Sequence, residues 1–140
     1  MSGIDFDALH VGLSIPAVER QPSAVDLFQM SATLGIAHRI HYDAPYTTEI
    51  EGHPGLLVQG PLQASYMLQA VLNWLGPAKI RLVSFTFRHL APAYVDAVIR
   101  CEATVIEVNP ETGTATFEVN SFNVSDAKLT VGQLVVGWTR

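Results

Sequence analysis

Between Ala37 and Gly76 the sequence sets a titratable stretch directly against an apolar one. His38, Arg39, His41, Tyr42 and Asp43 crowd together, and a nearly unbroken apolar run follows from Gly60-Pro61. An imidazole titrates near neutrality, so His41 suits proton transfer in either direction. His38 and His41 also have a spacing that a metal pair can use. With five histidines, one cysteine and no H-E-x-x-H pattern, however, a metal site is not expected. Gly60-Pro61 opens a helix whose first N–H groups and dipole favour negative charge, and a glycine there lets a bulky ligand approach the backbone. Arg39 is a candidate for a phosphate or carboxylate contact, or for an ion pair with Asp43 or Glu49. Glu49 and Glu51 are expected to be solvated, and Tyr42 and Asp43 structural, with Asp43 a helix cap.

The elements that must hold these groups follow from periodicity and punctuation. Leu9, Val11, Leu13 and Ile15 alternate, which predicts a short N-terminal strand. Ser23 and Asp26 have capping-box spacing ahead of an apolar face of Val25, Leu27, Phe28 and Met30, and Gly35 stops that helix. From Ile36 to Gln59 the pattern is irregular, with a short helix capped by Asp43 and ended by Gly52. So long a connection usually carries function. The helix over 61–75 is apolar almost all round, with Ser65, Gln69 and Asn73 as one narrow polar stripe, so other structure must wrap it.

Everything after Pro77 reads as strands. Lys79 to Arg88 places Val83, Phe85 and Phe87 on one face. Ala97, Ile99, Cys101, Ala103 and Val105 alternate with polar residues, and after the turn at Asn109 to Gly113 the alternation resumes at Ala115, Phe117 and Val119. These two runs form a hairpin; a turn at Ser125-Asp126 leads to a last strand over Leu129 to Thr139. An α+β fold follows, a curled antiparallel sheet around the 61–75 helix in a hot-dog arrangement.

The 140 residues suit a single domain over 1–140. A charged share of 15% against 49% hydrophobic residues predicts that much surface is hidden in a core or against a second copy, in a homodimer or larger homo-oligomer. The net charge of -5 argues against nucleic acid and against a membrane surface. The N-terminus shows no basic flank or apolar leader, which predicts a soluble, cytoplasmic protein. Cys101 is expected on a strand's core face.

The runs H-R-I-H-Y-D, Y-T-T-E-I-E-G-H-P-G-L-L-V-Q-G-P-L-Q and F-R-H-L-A-P-A-Y resemble the MaoC-like hydratase/dehydratase family, in particular the catalytic halves of mitochondrial-type 3-hydroxyacyl-thioester dehydratases and mesaconyl-CoA hydratases. The resemblance implies a hot-dog fold, edge-to-edge dimerisation, an acyl thioester of CoA or acyl carrier protein as ligand, and reversible syn hydration of a trans-2-enoyl thioester. It implies no metal or redox cofactor. His41 becomes the acid/base, serving both proton transfers in turn, with His38 orienting it or meeting ligand. The Gly60 N–H becomes the site for enolate charge, and Arg39, Gln59, Pro61 and Leu62 become ligand contacts. Lys79, Arg81, Arg88 and Arg39 are candidate partners of a CoA phosphate or an acidic carrier.

Three positions depart from the family pattern. The acid five residues before the histidine is Ile36, the asparagine three before it is His38, and the frequent histidine before the helix glycine is Gln59. The apolar Ile36 keeps two rival readings open: a non-catalytic acyl-thioester-binding subunit, or a repurposed hot-dog enzyme such as a thioesterase or isomerase.

Overall fold

The computed structural model describes residues 3–76 and 80–138. Five strands form one wholly antiparallel sheet in the order β1-β3-β4-β5-β2: β1 (Val18–Arg20), β2 (Ile80–His89), β3 (Ile99–Asn109), β4 (Thr114–Phe122) and β5 (Lys128–Trp138). Two helices precede most of the sheet, α1 (Ala24–Leu34) and α2 (Gly60–Leu75). This is the expected α+β hot-dog arrangement, with α2 packed on β2, β3, β4 and β5.

The two hairpins form where their turn residues dictate. Asn109 Oδ1 accepts from the N–H groups of Glu111 and Thr112, and Asn123 Oδ1 accepts from those of Ser125 and Ala127. Each side-chain carbonyl replaces a backbone acceptor within its turn. The alternation read from the sequence then supplies the core: Ile99, Cys101, Ala103 and Val105 from β3, Ala115, Phe117 and Val119 from β4, and Leu134 and Val136 from β5 are all buried. Cys101 is a free core thiol, and burial pushes its pKa up to about 11. From the opposite side α2 contributes Met67, Val71 and Leu75, spaced four apart and completely buried, and Trp74 meets Phe117 edge-on. Gln69 and Asn73 of the polar stripe are exposed and Ser65 partly so, so the wrap leaves that side of α2 open.

Two expectations need correction. Leu9 to Ile15 do not form a strand; only Ser14 makes an isolated bridge, to Thr104, and the N-terminal strand lies further on at Val18–Arg20. The reason is local. Gly12 adopts φ 90° and Val11 turns to solvent while Leu9 and Ile15 anchor the core, so the turn interrupts the alternation before a ladder can form. In β2, Val83, Phe85 and Phe87 do not form one core face. A bulge between Leu82 and Ser84 takes Val83 out of the alternation, while Phe85 and Phe87 keep one face with their rings 5.1 Å apart; of these, Phe85 packs on the core and Phe87 stays exposed. Lys79, Thr139 and the start of the predicted strand at Lys79 lie outside the described residues.

Candidate active site

The connection between the helices builds the site. The capping box is complete, with Ser23 Oγ accepting from Asp26 N–H and the Asp26 carboxylate accepting from Ser23 N–H, and Gly35 at φ 65° ends α1 where predicted. The chain then passes Ile36 and makes a single 3-10 turn over Arg39–His41. Asp43 caps the next turn, its Oδ1 accepting from Tyr46 N–H, and the short helix expected there is a π-turn over Tyr46–Ile50, closed near Gly52 at φ 73°.

An extended piece, Leu56 to Val58, ties this loop to the rest. Leu57 N–H donates to Ile40 O at 3.0 Å, while on the other side Val58 N–H donates to Ala93 O and Val95 N–H to Leu56 O. His41 uses the same clasp: its Nδ1 lies 2.8 Å from Leu57 O. A carbonyl oxygen can only accept, so Nδ1 carries the hydrogen and Nε2 is left with its lone pair. The ring is half-buried, and that burial, with the charge of His38 as a smaller cause, lowers its pKa from 6.5 despite the opposing bond to Leu57. His41 is thus a fixed-tautomer base, bonded to a residue three positions ahead of Gly60.

His38 does not hydrogen-bond to His41. Its Nδ1 accepts from Ile40 N–H at 3.4 Å, and its exposed ring meets that of His41 edge-on at a centroid distance of 6.2 Å. Leu57, not His38, therefore orients His41. Arg39 is engaged locally: Nε and Nη2 donate to Asp43 Oδ2 at 2.9 and 2.6 Å, and its guanidinium lies 4.1 Å over the Tyr46 ring. Tyr42 donates to Ala37 O and Tyr46 to Glu51. These are the structural alternatives for Arg39, Tyr42 and Glu51.

At the start of α2, Gln59 O accepts from both Leu62 and Gln63 N–H, Pro61 has no N–H to satisfy, and Gly60 N–H donates to no acceptor among the described residues. The Gln59 side chain points away from open space. It is buried and donates through Nε2 to Leu27 O at 2.6 Å and Ser31 Oγ at 2.9 Å, pinning α1 to the head of α2, with its Oε1 unpartnered. Leu62 belongs to the core, and Pro61 borders an apolar groove with Ala64, Leu68, Phe85 and Phe87. Ile36 lines a separate apolar groove of about 340 Å³ with Phe28, Ser31, Ala32 and Tyr42. No carboxylate lines that groove.

A group without a role read from the sequence, although it lies in the run F-R-H-L-A-P-A-Y, stands at Gly60 as well. The His89 ring, at the end of β2, lies so close that a Cβ on Gly60 would meet its Nε2 at 2.6 Å. Its Nδ1 lies 2.8 Å from Thr130 Oγ1. The β2–β5 pairing sets His89 opposite Thr130, and the start of α2 brings Gly60 to the ring. Among the described residues, no group of three or more His, Cys, Asp or Glu is arranged to hold a metal ion, and no helix is long and apolar enough to cross a membrane.

Known proteins share both sequence and fold with this chain. A mesaconyl-C(4)-CoA hydratase from Chloroflexus aurantiacus is 43% identical over 68 residues, covering 49% of this chain and 23% of the relative. The mitochondrial hydroxyacyl-thioester dehydratase type 2 of Schizosaccharomyces pombe is 34% identical over 79 residues, covering 56% of this chain and 26% of the relative. The matches thus span about a quarter of each curated relative's length. Among solved structures, an (R)-hydratase from A. caviae involved in PHA biosynthesis superposes with a TM-score of 0.86 at 18% identity, over 94% of this chain and 98% of that one, and so shares the fold. The family profile of hydroxyacyl-thioester dehydratase type 2 matches residues 14–95, which hold His41, Gly60 and the clasp that joins them, and the chain belongs to that family.

Proposed function

We propose that the protein catalyses reversible hydration of a trans-2-enoyl thioester to a 3-hydroxyacyl thioester, carried by CoA or an acyl carrier protein. The observation that carries this reading is the His41 imidazole, with Nδ1–H committed to Leu57 O, three positions before Gly60, and Nε2 left with its lone pair. In the hydration direction Nε2 takes a proton from water as the water oxygen bonds to C3. The C2=C3 π pair moves toward the thioester carbonyl, and the resulting oxygen charge is met by the free Gly60 N–H at the helix dipole's positive end. The imidazolium then returns the proton to C2 from the same face, and the base is regenerated. Arg81 and Arg88, exposed on β2, are basic residues open to a CoA phosphate or an acidic carrier. A second copy completes the unit across the β2 edge, whose outward Leu82, Val83 and Phe87 are 49%, 44% and 43% exposed.

The test is loss of enoyl absorbance from a panel of short, long, branched and dicarboxylic trans-2-enoyl-CoA thioesters, with free thiol assayed in parallel. Hydroxyacyl product without thiol supports the hydratase; thiol release replaces it with a thioesterase. One observation favours a second reading. Ile36 puts an apolar side chain where the family acid belongs, and the groove around it holds no carboxylate, as in a subunit that binds acyl thioesters without turning them over. Activity of the pure protein rejects that reading; inactivity that Ile36→Asp relieves supports it.

A further inference from the structure

His89 and Gly60 interlock. A Cβ on Gly60 would lie 2.6 Å from His89 Nε2, 3.2 Å from Cδ2 and 3.4 Å from Cε1. Gly60 has no left-handed φ to accommodate, so the missing side chain serves to admit this ring. The N and Cβ of one residue are about 2.5 Å apart, which puts the Gly60 nitrogen within about 5 Å of His89 Nε2. The protonation of Nε2 is set from the far side of the ring. Gln63 Nε2 donates to Val58 O at 3.4 Å, so Oε1 is the amide atom turned to Thr130, 3.4 Å from its Oγ1. A carbonyl oxygen only accepts, so the one hydroxyl hydrogen of the buried Thr130 goes to Gln63, and Thr130 Oγ1 accepts from His89 Nδ1–H at 2.8 Å. Nε2 is left with a lone pair. Gly60, Gln63 and His89 line an open cleft of about 350 Å³ whose other side chains, from Val58, Leu90, Ala91 and Pro92, carry no polar atom. The cleft thus sets a free donor, Gly60 N–H, beside a free acceptor, His89 Nε2.

We propose that His89 Nε2 accepts a hydrogen bond from the C3 hydroxyl of a 3-hydroxyacyl thioester whose carbonyl oxygen is held by Gly60 N–H. The proposal rests on the hydratase reading above. A donor beside an acceptor matches a ligand that presents the complementary pair. In a 3-hydroxyacyl thioester the carbonyl oxygen on C1 and the hydroxyl on C3 can lie side by side, one accepting and the other donating; a saturated thioester has no hydrogen to give there. The groups facing the ring are Phe87, whose centroid is 5.5 Å away, with Gly60 and Thr130, none of them charged. Burial lowers the His89 pKa from 6.5, so at neutral pH the ring is an imidazole and the lone pair is available. Proton accounting is unchanged: His41 takes one hydrogen of water as a proton and returns it to C2. The hydrogen that stays on the new C3 oxygen is the one that points at His89, which ends each turnover as it began.

Binding is measured by titration calorimetry in a His41→Ala background, where ligand is not consumed. The ligands are butanoyl-CoA and whichever enantiomer of 3-hydroxybutanoyl-CoA binds more tightly. One net hydrogen bond corresponds to roughly 2–12-fold in affinity. The His41→Ala protein is expected to prefer the hydroxyacyl ligand by such a factor. Adding His89→Phe, which keeps a ring and removes both nitrogens, abolishes the preference and leaves butanoyl-CoA affinity unchanged; His89→Gln, whose side-chain oxygen reaches the place of Nε2, restores part of it. A ring that merely packs against Gly60 would shift both ligands alike. Equal affinities before His89 is changed, no binding of either ligand, or a preference that survives in a folded His89→Phe protein overturns the inference. The first of these is the result if Nε2 instead takes the pantetheine amide, which both ligands carry. ¹⁵N imidazole NMR of the wild type checks the tautomer without ligand: a protonated Nδ1 and a bare Nε2 are expected at neutral pH, and a protonated Nε2 overturns the inference. Wild-type inactivity toward every enoyl thioester, with the His89-dependent hydroxyl preference intact, defeats the hydratase reading and leaves His89 as the hydroxyl acceptor.

Discussion

His41 and Gln59 show how two polar residues near one helix start can have opposite duties. Leu57 holds the His41 ring by one nitrogen and leaves the other free, and partial burial favours the neutral form. The free base is therefore present at neutral pH, and kcat/KM for hydration is predicted to fall on acidification with an inflection below the ordinary histidine value of about 6.5. A pH–rate profile checks this; an inflection above that value contradicts the direction set by burial. Gln59 was expected to touch ligand, yet both hydrogens of its amide are used on α1. Gln59→Leu is predicted to lower stability by about 1–3 kcal/mol, the scale of lost buried hydrogen bonds, while leaving KM nearly unchanged. Urea unfolding beside steady-state kinetics separates the two effects. The histidine, the glycine and the long connection were readable in the sequence because each is a local feature. Leu57 as the partner of His41, sixteen positions away, was not, because a backbone carbonyl acceptor has no residue signature.

At the scale of elements, helix boundaries and hairpins were the most legible features. Ser23 with Asp26, Gly35, Gly60-Pro61 and Gly76 mark the ends of α1 and α2, since caps and turn residues act through their nearest neighbours. Strand β2 was legible as a strand but not in its facing. The bulge at Val83 is a property of its pairing with β5, and the run Leu82-Val83-Ser84-Phe85 has no feature that announces it. The same bulge leaves apolar side chains on an edge strand, which exposed edges normally avoid. The wild type is accordingly predicted to sediment as a dimer, and Val83→Lys, which places a charge on that edge, to shift it toward monomer. Analytical ultracentrifugation reads this directly, and a monomeric wild type removes the β2 edge as the interface.

Across the whole molecule, the sheet gathers what the chain separates. His41 lies in an irregular loop, Gly60 opens α2, His89 ends β2 and Thr130 lies in β5, yet Gly60 and His89 line one cleft, with the buried Thr130 bonded to the His89 ring. The hot-dog architecture was readable because alternating strands with one apolar face and one all-apolar helix have few ways to cover each other. The His89 contact was not, because it depends on where an edge strand stops relative to a helix start. The central claim is that His41 performs the proton transfers of an enoyl-thioester hydratase although the family acid is replaced by Ile36. The most direct test is the rate of enoyl absorbance loss for the wild type and His41→Ala side by side on the best thioester of the panel, with circular dichroism confirming that both are folded. The account predicts a loss of roughly 10²–10⁴-fold, the usual contribution of a general acid/base. Equal rates in the two folded proteins would contradict it.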